Sequence, residues 1–184
     1  MKRITKWLAI GGRSIAVACA LIVCGAAAGY TLPAQAQNQA ACTAPQYHQF
    51  DFWMGDWDAF DVDYPTLVVA RTRVTSLLQG CTLLERYDGT NGTSGESFSI
   101  YDASRKVWHQ SWVTNRGQLL VIEGNLQSGA MVLSGGFVAR DGVKTMIRGT
   151  WRPIAGGVRE SASTSIDRGK TWTPLFDLLF RPHT

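Results

Sequence analysis

The chain has 184 residues, of which 45% are hydrophobic and 17% are charged, as in an ordinary globular protein. Its formal net charge is +4, from 18 basic and 14 acidic residues. Residues 1–36 contain four of the basic residues, Lys2, Arg3, Lys6 and Arg13, and no acidic residue. The rest of the chain therefore has 14 basic and 14 acidic residues. The main part of the chain is therefore net neutral. This balance argues against nucleic acid or an anionic membrane surface as a partner.

Residues 1–36 are predicted to be a cleaved, Sec-type signal peptide of bacterial appearance. The basic residues come first, residues 14–28 are almost wholly apolar, and Ala34 and Ala36 supply the small side chains of a cleavage site. A retained membrane anchor is the alternative, but the apolar run is shorter than the ~18 residues of a usual span. Cleavage after Ala36 would leave 148 of the 184 residues, enough for one domain. We expect this domain in the periplasm or outside the cell, without a stable membrane anchor.

Residues 37–49 form a predicted N-terminal arm that carries Cys42. Cys19 and Cys24 belong to the signal segment, so Cys42 and Cys81 are the pair left in the exported chain. An even pair in an oxidising compartment predicts a disulfide between the arm and a strand that begins near Cys81. Two free thiols are the alternative.

The sequence of residues 50–57, F-D-F-W-M-G-D-W, is the most distinctive in the chain. Its aromatic side chains crowd into a predicted turn or short helix at residues 46–54, and Gly55 permits a tight entry into the first strand. Such a cluster can close one end of a barrel. We predict that the barrel domain covers residues 50–184.

Short runs rich in β-branched and aromatic residues follow, for example residues 67–78, 107–113 and 145–151. Glycine-containing turns separate them at a spacing of about 8–12 residues, which is typical of antiparallel β-structure. The pattern predicts an all-β, up-and-down barrel of about 8–10 strands, because closure removes exposed strand edges. A two-sheet sandwich is the alternative.

Several motifs resemble those of an uncharacterised family of small secreted bacterial proteins that opens with F-D-F-W-x-G-x-W. They include G-C-T-L-L-E at residues 80–85, W-H-Q-S-W-V at residues 108–113 and S-I-D-R-G-K-T-W at residues 165–172. The G-D-W at residues 55–57 also looks like the G-x-W signature of lipocalins and other calycin barrels. The resemblance implies a lipocalin-like barrel. It implies little about activity.

Alternation along the strands indicates which side chains face the barrel interior. Trp108, Gln110 and Trp112 share one face of their strand, and Glu85 shares a face with Leu83 and Tyr87. If Glu85 points inward it needs a polar partner, such as Gln110, Arg148 or Arg159. The predicted ligand-lining residues are Trp53, Glu85, Trp108, Gln110, Trp112 and Arg159.

These residues predict an exported binding protein that holds a small, largely apolar or aromatic molecule inside the barrel. An enzyme that uses a barrel-held carboxylate such as Glu85 is the second possibility. Glu123 and Glu160 also fall within strand runs, but surface positions explain them more simply than a catalytic pair. A packed structural or interaction barrel is the third. We expect no catalytic nucleophile, because no G-x-S-x-G sequence is present.

The histidines, His48, His109 and His183, show no metal-ligand spacing, so no metal site is expected. No cofactor is expected either, and haem held by His109 or His183 is the minor alternative. Residues 165–172 match the Asp-box pattern S-x-D-x-G-x-T-W, which predicts a hairpin turn and carries no implication of enzymatic activity.

Overall fold

The computed structural model describes residues 42–184, and ten β-strands make up most of this part of the chain. The strands are β1 (Gly55–Asp61), β2 (Val68–Leu77), β3 (Thr82–Gly89), β4 (Ser94–Asp102), β5 (Val107–Thr114), β6 (Leu119–Gln127), β7 (Ala130–Val138), β8 (Lys144–Ile154), β9 (Gly157–Ser165) and β10 (Thr173–Pro182). Short 3₁₀ helices occupy Pro45–His48, Asp51–Trp53 and Leu78–Gly80. The predicted signal peptide, residues 1–36, and the first residues of the predicted arm lie outside the described residues. No helix within residues 42–184 is long and apolar enough to cross a membrane.

The strands form a closed barrel in which each strand is antiparallel to its neighbours in the sequence, and β1 closes the ring against β10. The closing pairs include Trp57 with Pro182 and Ala59 with Phe180. The prediction of an up-and-down antiparallel barrel is therefore confirmed, and the sandwich alternative is wrong. Side chains alternate as expected: on β8, Thr145, Ile147, Gly149 and Trp151 are buried.

One end of the barrel is closed by aromatic side chains. Asp51–Trp53 and the residues around it pack beneath the strand ends, and Phe50 and Trp53 are completely or almost completely buried. We call Phe50, Trp53, Trp57, Trp108 and Phe180 the aromatic plug. Ring centroids within the plug lie 4.7 to 6.2 Å apart, in edge-to-face and stacked arrangements. Full burial of each such side chain stabilises the fold by about 1.5–3 kcal/mol.

The predicted disulfide is present between Cys42 and Cys81, with the two Cα atoms 5.1 Å apart. Cys81 follows the turn that joins β2 to β3, and this turn lies at the same end of the barrel as the aromatic plug. The bond therefore ties the segment that carries the plug to the wall of the barrel. Its presence also fits an oxidising compartment.

The opposite end carries the loops that join β1 to β2, β3 to β4, β5 to β6, β7 to β8 and β9 to β10. The last of these is the predicted Asp-box turn. Asp167 accepts hydrogen bonds from the backbone of Lys170 and Thr171, and the Trp172 indole donates to the Gly169 carbonyl at 3.0 Å. These contacts all lie within the turn, which confirms its role as a fold element.

Candidate functional site

A cavity of about 340 Å³ lies between the aromatic plug and the open end of the barrel. Its aromatic lining residues are Tyr87, Trp112, Trp151 and Phe176, and its aliphatic ones are Leu120, Ile122, Ile147, Ala162 and Leu178. The Trp151 ring also packs against Phe50, with ring centroids 5.6 Å apart, so its indole separates the cavity from the plug. The interior is thus only partly filled by side chains, unlike that of a fully packed barrel.

Glu85 projects into this cavity from β3 and is only 7% exposed. Ser97 on β4 donates to its Oε2 at 2.9 Å. Gln110 on β5 holds Ser97 in turn, since its Nε2 donates to Ser97 Oγ at 3.3 Å and to Ser99 Oγ at 3.1 Å. Burial raises the pKa of Glu85 to about 7, and the Ser97 hydrogen bond only partly opposes this rise. Near neutral pH, Glu85 therefore exists in both protonation states.

A second carboxyl group, that of Glu160 on β9, lines the same cavity. Its strand partners are Trp151 on β8 and Leu178 on β10, and the residue is half-buried in the cavity wall. Burial raises the pKa of Glu160 well above its ordinary value, and the nearby charge of Glu85 raises it further. The two acids thus oppose each other's ionisation, and no lysine, arginine or histidine is among the described lining residues.

The indole N–H of Trp151 makes no hydrogen bond within the described part of the chain, although the side chain is only 3% exposed. The Trp151 indole lies close enough to the Glu160 carboxyl group to stabilise its ionised form, which lowers the pKa of Glu160 and partly opposes the effect of burial. Trp53 Nε1 and Thr72 Oγ1 are also buried without a partner, but neither residue borders the cavity. A buried donor without a partner carries a cost of about 1–3 kcal/mol. Trp151 therefore places a hydrogen-bond donor beside the Glu160 carboxyl group at the boundary of the cavity.

Three of the six predicted ligand-lining residues, Glu85, Gln110 and Trp112, line the cavity. Trp53 and Trp108 face inward but belong to the aromatic plug, where the Trp108 indole donates to Gln49 Oε1 at 3.3 Å.

Arg159 is on the outer surface, so the prediction that it lines the interior is wrong. Its guanidinium donates from Nε to Asp177 at 2.8 Å, on the outside of the barrel. The strand alternation places its neighbour Glu160 inside instead. Arg148 is not the partner of Glu85 either, because its guanidinium carbon lies 4.0 Å from the centre of the Trp172 ring on the outside of the barrel. The partner of Glu85 is Ser97.

Glu123 and Glu160 do not form a pair of carboxylates inside the barrel, and the surface position that was the simpler interpretation holds for Glu123. Glu123 lies on the outer surface of β6, where Arg105 donates to it at 2.8 Å and its Oε1 lies 2.8 Å from Nδ1 of His109. Arg105 and then His109 lower the pKa of Glu123 to about 2. The carboxyl group that shares the cavity with Glu160 is that of Glu85.

Both histidines considered for haem lie on the outer surface. His109 contacts Glu123 and Ser111, and His183 contacts Asp58 at 2.9 Å. Neither side chain borders the cavity. Within residues 42–184, no group of three or more histidine, cysteine, aspartate or glutamate side chains is arranged to hold a metal ion.

The cavity communicates with a groove at the open end, which we call the side opening. Pairing between β6 and β7 reaches only as far as Ile122 and Gly135, so the strands separate above that point. The groove has a volume of about 850 Å³ and shares Trp112, Leu120, Ile147 and Phe176 with the cavity. Its rim includes the exposed apolar residues Leu119, Val121, Val138 and Leu175, together with Arg116 and Arg140.

In comparisons with known proteins, no family model matches the chain, and no curated protein shows significant sequence similarity to it.

Proposed function

We propose that this protein binds a small, largely apolar or aromatic molecule inside its barrel. The observation that carries the proposal is the cavity of about 340 Å³ with four aromatic and five aliphatic lining residues. Its volume falls within the range of about 300–1,000 Å³ that is usual for small-molecule sites. Its few polar groups, Glu85, Gln110 and Glu160, are of the kind that orient a ligand in such a site.

Binding would be non-covalent capture. Apolar parts of the ligand lose contact with water against the rings of Trp112, Tyr87 and Phe176, which favours binding by about 25 cal/mol per Å² of buried apolar surface. The side opening provides the route of entry, because its apolar rim continues into the cavity wall. The aromatic plug and the disulfide at the other end keep the bottom of the cavity closed.

We also propose that the protein acts outside the cytoplasm, in the periplasm or as a secreted protein. The Cys42–Cys81 disulfide supports this location, since such bonds persist in oxidising compartments. The predicted signal peptide agrees with it.

Native mass spectrometry of the protein purified from its own host is the direct test, because a retained ligand adds a defined mass. Titrations that follow quenching of tryptophan fluorescence by haemin, fatty acids and aromatic metabolites extend it. We expect Trp112→Ala to weaken binding of an internal ligand by about tenfold or more, since the truncation removes a large lining surface.

Trp172→Ala is the matched control, because Trp172 packs in the Asp-box turn and does not line the cavity. The control variant should bind within about twofold of the unmodified protein. Equal affinities for the Trp112 variant and the unmodified protein would place the ligand elsewhere.

Acid–base catalysis by Glu85 is the second candidate function. A pKa of about 7 suits a general acid or base at neutral pH, and the carboxyl group lies in a cavity that can hold a substrate. The same mass measurements separate the two functions. A binding protein returns its ligand with unchanged mass, whereas an enzyme returns a product, and Glu85→Gln then abolishes the conversion.

A further inference from the structure

We propose that the molecule bound in the cavity is a protonated amine with an apolar or aromatic body, whose ammonium group lies between Glu85 and Glu160. This inference rests on the proposed function and specifies the chemistry of its ligand. Three features carry it: the charge of the cavity, its aromatic wall, and two hydrogen-bonding positions left open beside the acids.

The first feature is that the cavity contains acids without a counter-cation. Glu85 and Glu160 are the charged lining residues in the described part of the chain, and Tyr87 on β3 is the other titratable one. Arg86 follows Glu85 in the sequence, and Arg159 precedes Glu160. Both arginines point outward, where Arg86 pairs with Glu96 and Arg159 pairs with Asp177. An ionised carboxylate in such a site needs a positive partner. Only the ligand is left to supply one.

The second feature is the aromatic wall around the acids. Tyr87 and Trp112 pack edge to face, with ring centroids 5.9 Å apart, and Trp151 lies beside Glu160 in the adjacent strand. The face of an aromatic ring attracts a cation within about 6 Å of its centroid, and the attraction is stronger where water is excluded. Rings and carboxylates together make a site for an organic cation. A site for a fatty acid would instead place a cation at the cavity wall.

The third feature is the hydrogen bonding of the two acids. Ser97 occupies Oε2 of Glu85, while Oε1 accepts no hydrogen bond from any residue of the described chain and is free to take an ammonium N–H. Beside Glu160, the buried indole N–H of Trp151 has no partner. It is placed to donate to this carboxylate once Glu160 is ionised, as it would be opposite a cation. The ionised form of each acid thus has a hydrogen-bond donor beside it, Ser97 for Glu85 and the Trp151 indole for Glu160.

Binding of a cation should release a proton. The groups that face one another here are the two carboxyls and the Tyr87 hydroxyl, and burial raises the pKa of all three. Near neutral pH Glu85 is therefore partly protonated, and an ammonium group would displace that proton; the pKa of Glu160 is shifted in the same direction. Affinity for an amine should rise with pH between about pH 5.5 and pH 7.5, because the amine itself stays charged up to about pH 10.

The test uses three probes of nearly equal shape: 2-phenylethylamine, 2-phenylethanol and 3-phenylpropionate. Calorimetric titration at about pH 7.5 should show the amine binding about tenfold or more tightly than the alcohol, with the carboxylate weakest. At about pH 5.5 the amine should lose about tenfold in affinity and the alcohol should stay within about twofold. Titrations in two buffers of different ionisation enthalpy should report proton release with the amine and none with the alcohol.

Glu85→Gln and Glu160→Gln keep the shape of each side chain and remove its charge. Each should lower affinity for the amine by about tenfold and leave the alcohol within about twofold, which also shows that the variant is folded. Glu123→Gln is the matched control, because Glu123 lies on the outer surface. It should change none of the three affinities.

The possible outcomes separate this inference from the proposed function. If the alcohol or any other apolar ligand binds while the amine shows no preference, the amine assignment is wrong and the binding function stands. Tightest binding of the carboxylate would overturn it in the same way and would point to Arg116 and Arg140 at the rim. If neither these probes nor the wider ligand panel binds, both proposals fail.

Discussion

At the scale of single residues, two adjacent glycines on β7 should respond very differently to the same substitution. A Cβ atom on Gly135 would lie 2.1 Å from the Val121 carbonyl oxygen, whereas one on Gly136 would approach nothing closer than 3.6 Å. The first contact is with backbone, so relief would require β6 and β7 to move apart. We expect Gly135→Ala to lower the free energy of unfolding by about 1–3 kcal/mol, as measured by urea denaturation.

Gly136→Ala is the control and should change the stability by less than about 1 kcal/mol, or raise it slightly, because alanine restricts the unfolded chain. Similar stabilities for the two variants would show that β6 and β7 separate easily at this point. That result would matter for the ligand, since Gly135 marks the base of the side opening.

The sequence predicted individual site residues where apolar neighbours mark the inward face. Glu85, Gln110 and Trp112 were identified in this way, each by alternation with large apolar side chains. The same rule applied to β9 would have selected Glu160 and not Arg159, because Val158 and Ala162 share the parity of Glu160 and both are buried. An arginine could neutralise a buried Glu85, but Arg159 has the outward parity on β9. Partners such as Ser97, which depend on strand register, could not be found from sequence.

At the scale of elements, the disulfide and the segment it ties down should contribute a measurable part of the stability. The bond joins residues 39 positions apart and anchors the segment that carries Phe50 and Trp53. Closing a loop of this size restricts the unfolded chain and stabilises the fold by about 2–4 kcal/mol in the chain-entropy description. We expect the double variant Cys42→Ala, Cys81→Ala to lose about this much in urea denaturation.

The unmodified protein measured with a reducing agent is the control and should lose a similar amount of stability. If the double variant keeps the original denaturation midpoint, then packing of the aromatic plug alone holds the segment in place.

The number and direction of the strands were also predictable, because each hairpin turn is local and most of them contain a glycine. Two features of the barrel were not. Closure pairs β1 with β10, whose residues Ala59 and Phe180 are far apart in the chain, and no local pattern encodes such a pairing. The end of the pairing between β6 and β7 at Gly135 is a property of how the two strands meet in the folded barrel. The side opening therefore appears only in the folded structure.

At the scale of the whole molecule, stability should depend on pH in a direction set by the cavity. Several outer carboxylates have lowered pKa values: hydrogen bonds from Thr171 lower that of Asp167 to about 2, and Arg105 chiefly lowers that of Glu123 to about 2. For these groups the native state favours the ionised form. Their contribution to stability is lost only as the pH falls below their unfolded values, near pH 4.

Glu85 and Glu160 act in the opposite sense and in a different pH range. The pKa of Glu85 rises from 4.5 to about 7 through burial, and that of Glu160 is also raised, so the native state binds protons more strongly than the unfolded chain. The stability linked to Glu85 is complete below about pH 4.5 and is lost as the pH rises through about 7, by about 3 kcal/mol for a shift of this size, and Glu160 acts in the same direction. Urea denaturation at intervals from about pH 5 to pH 8 should therefore show a decline in the unmodified protein, and the double variant Glu85→Gln, Glu160→Gln should flatten it. Glu123→Gln, on the outer surface, should leave the decline in place. An equally steep decline in the double variant would mean that the buried acids do not titrate in this range.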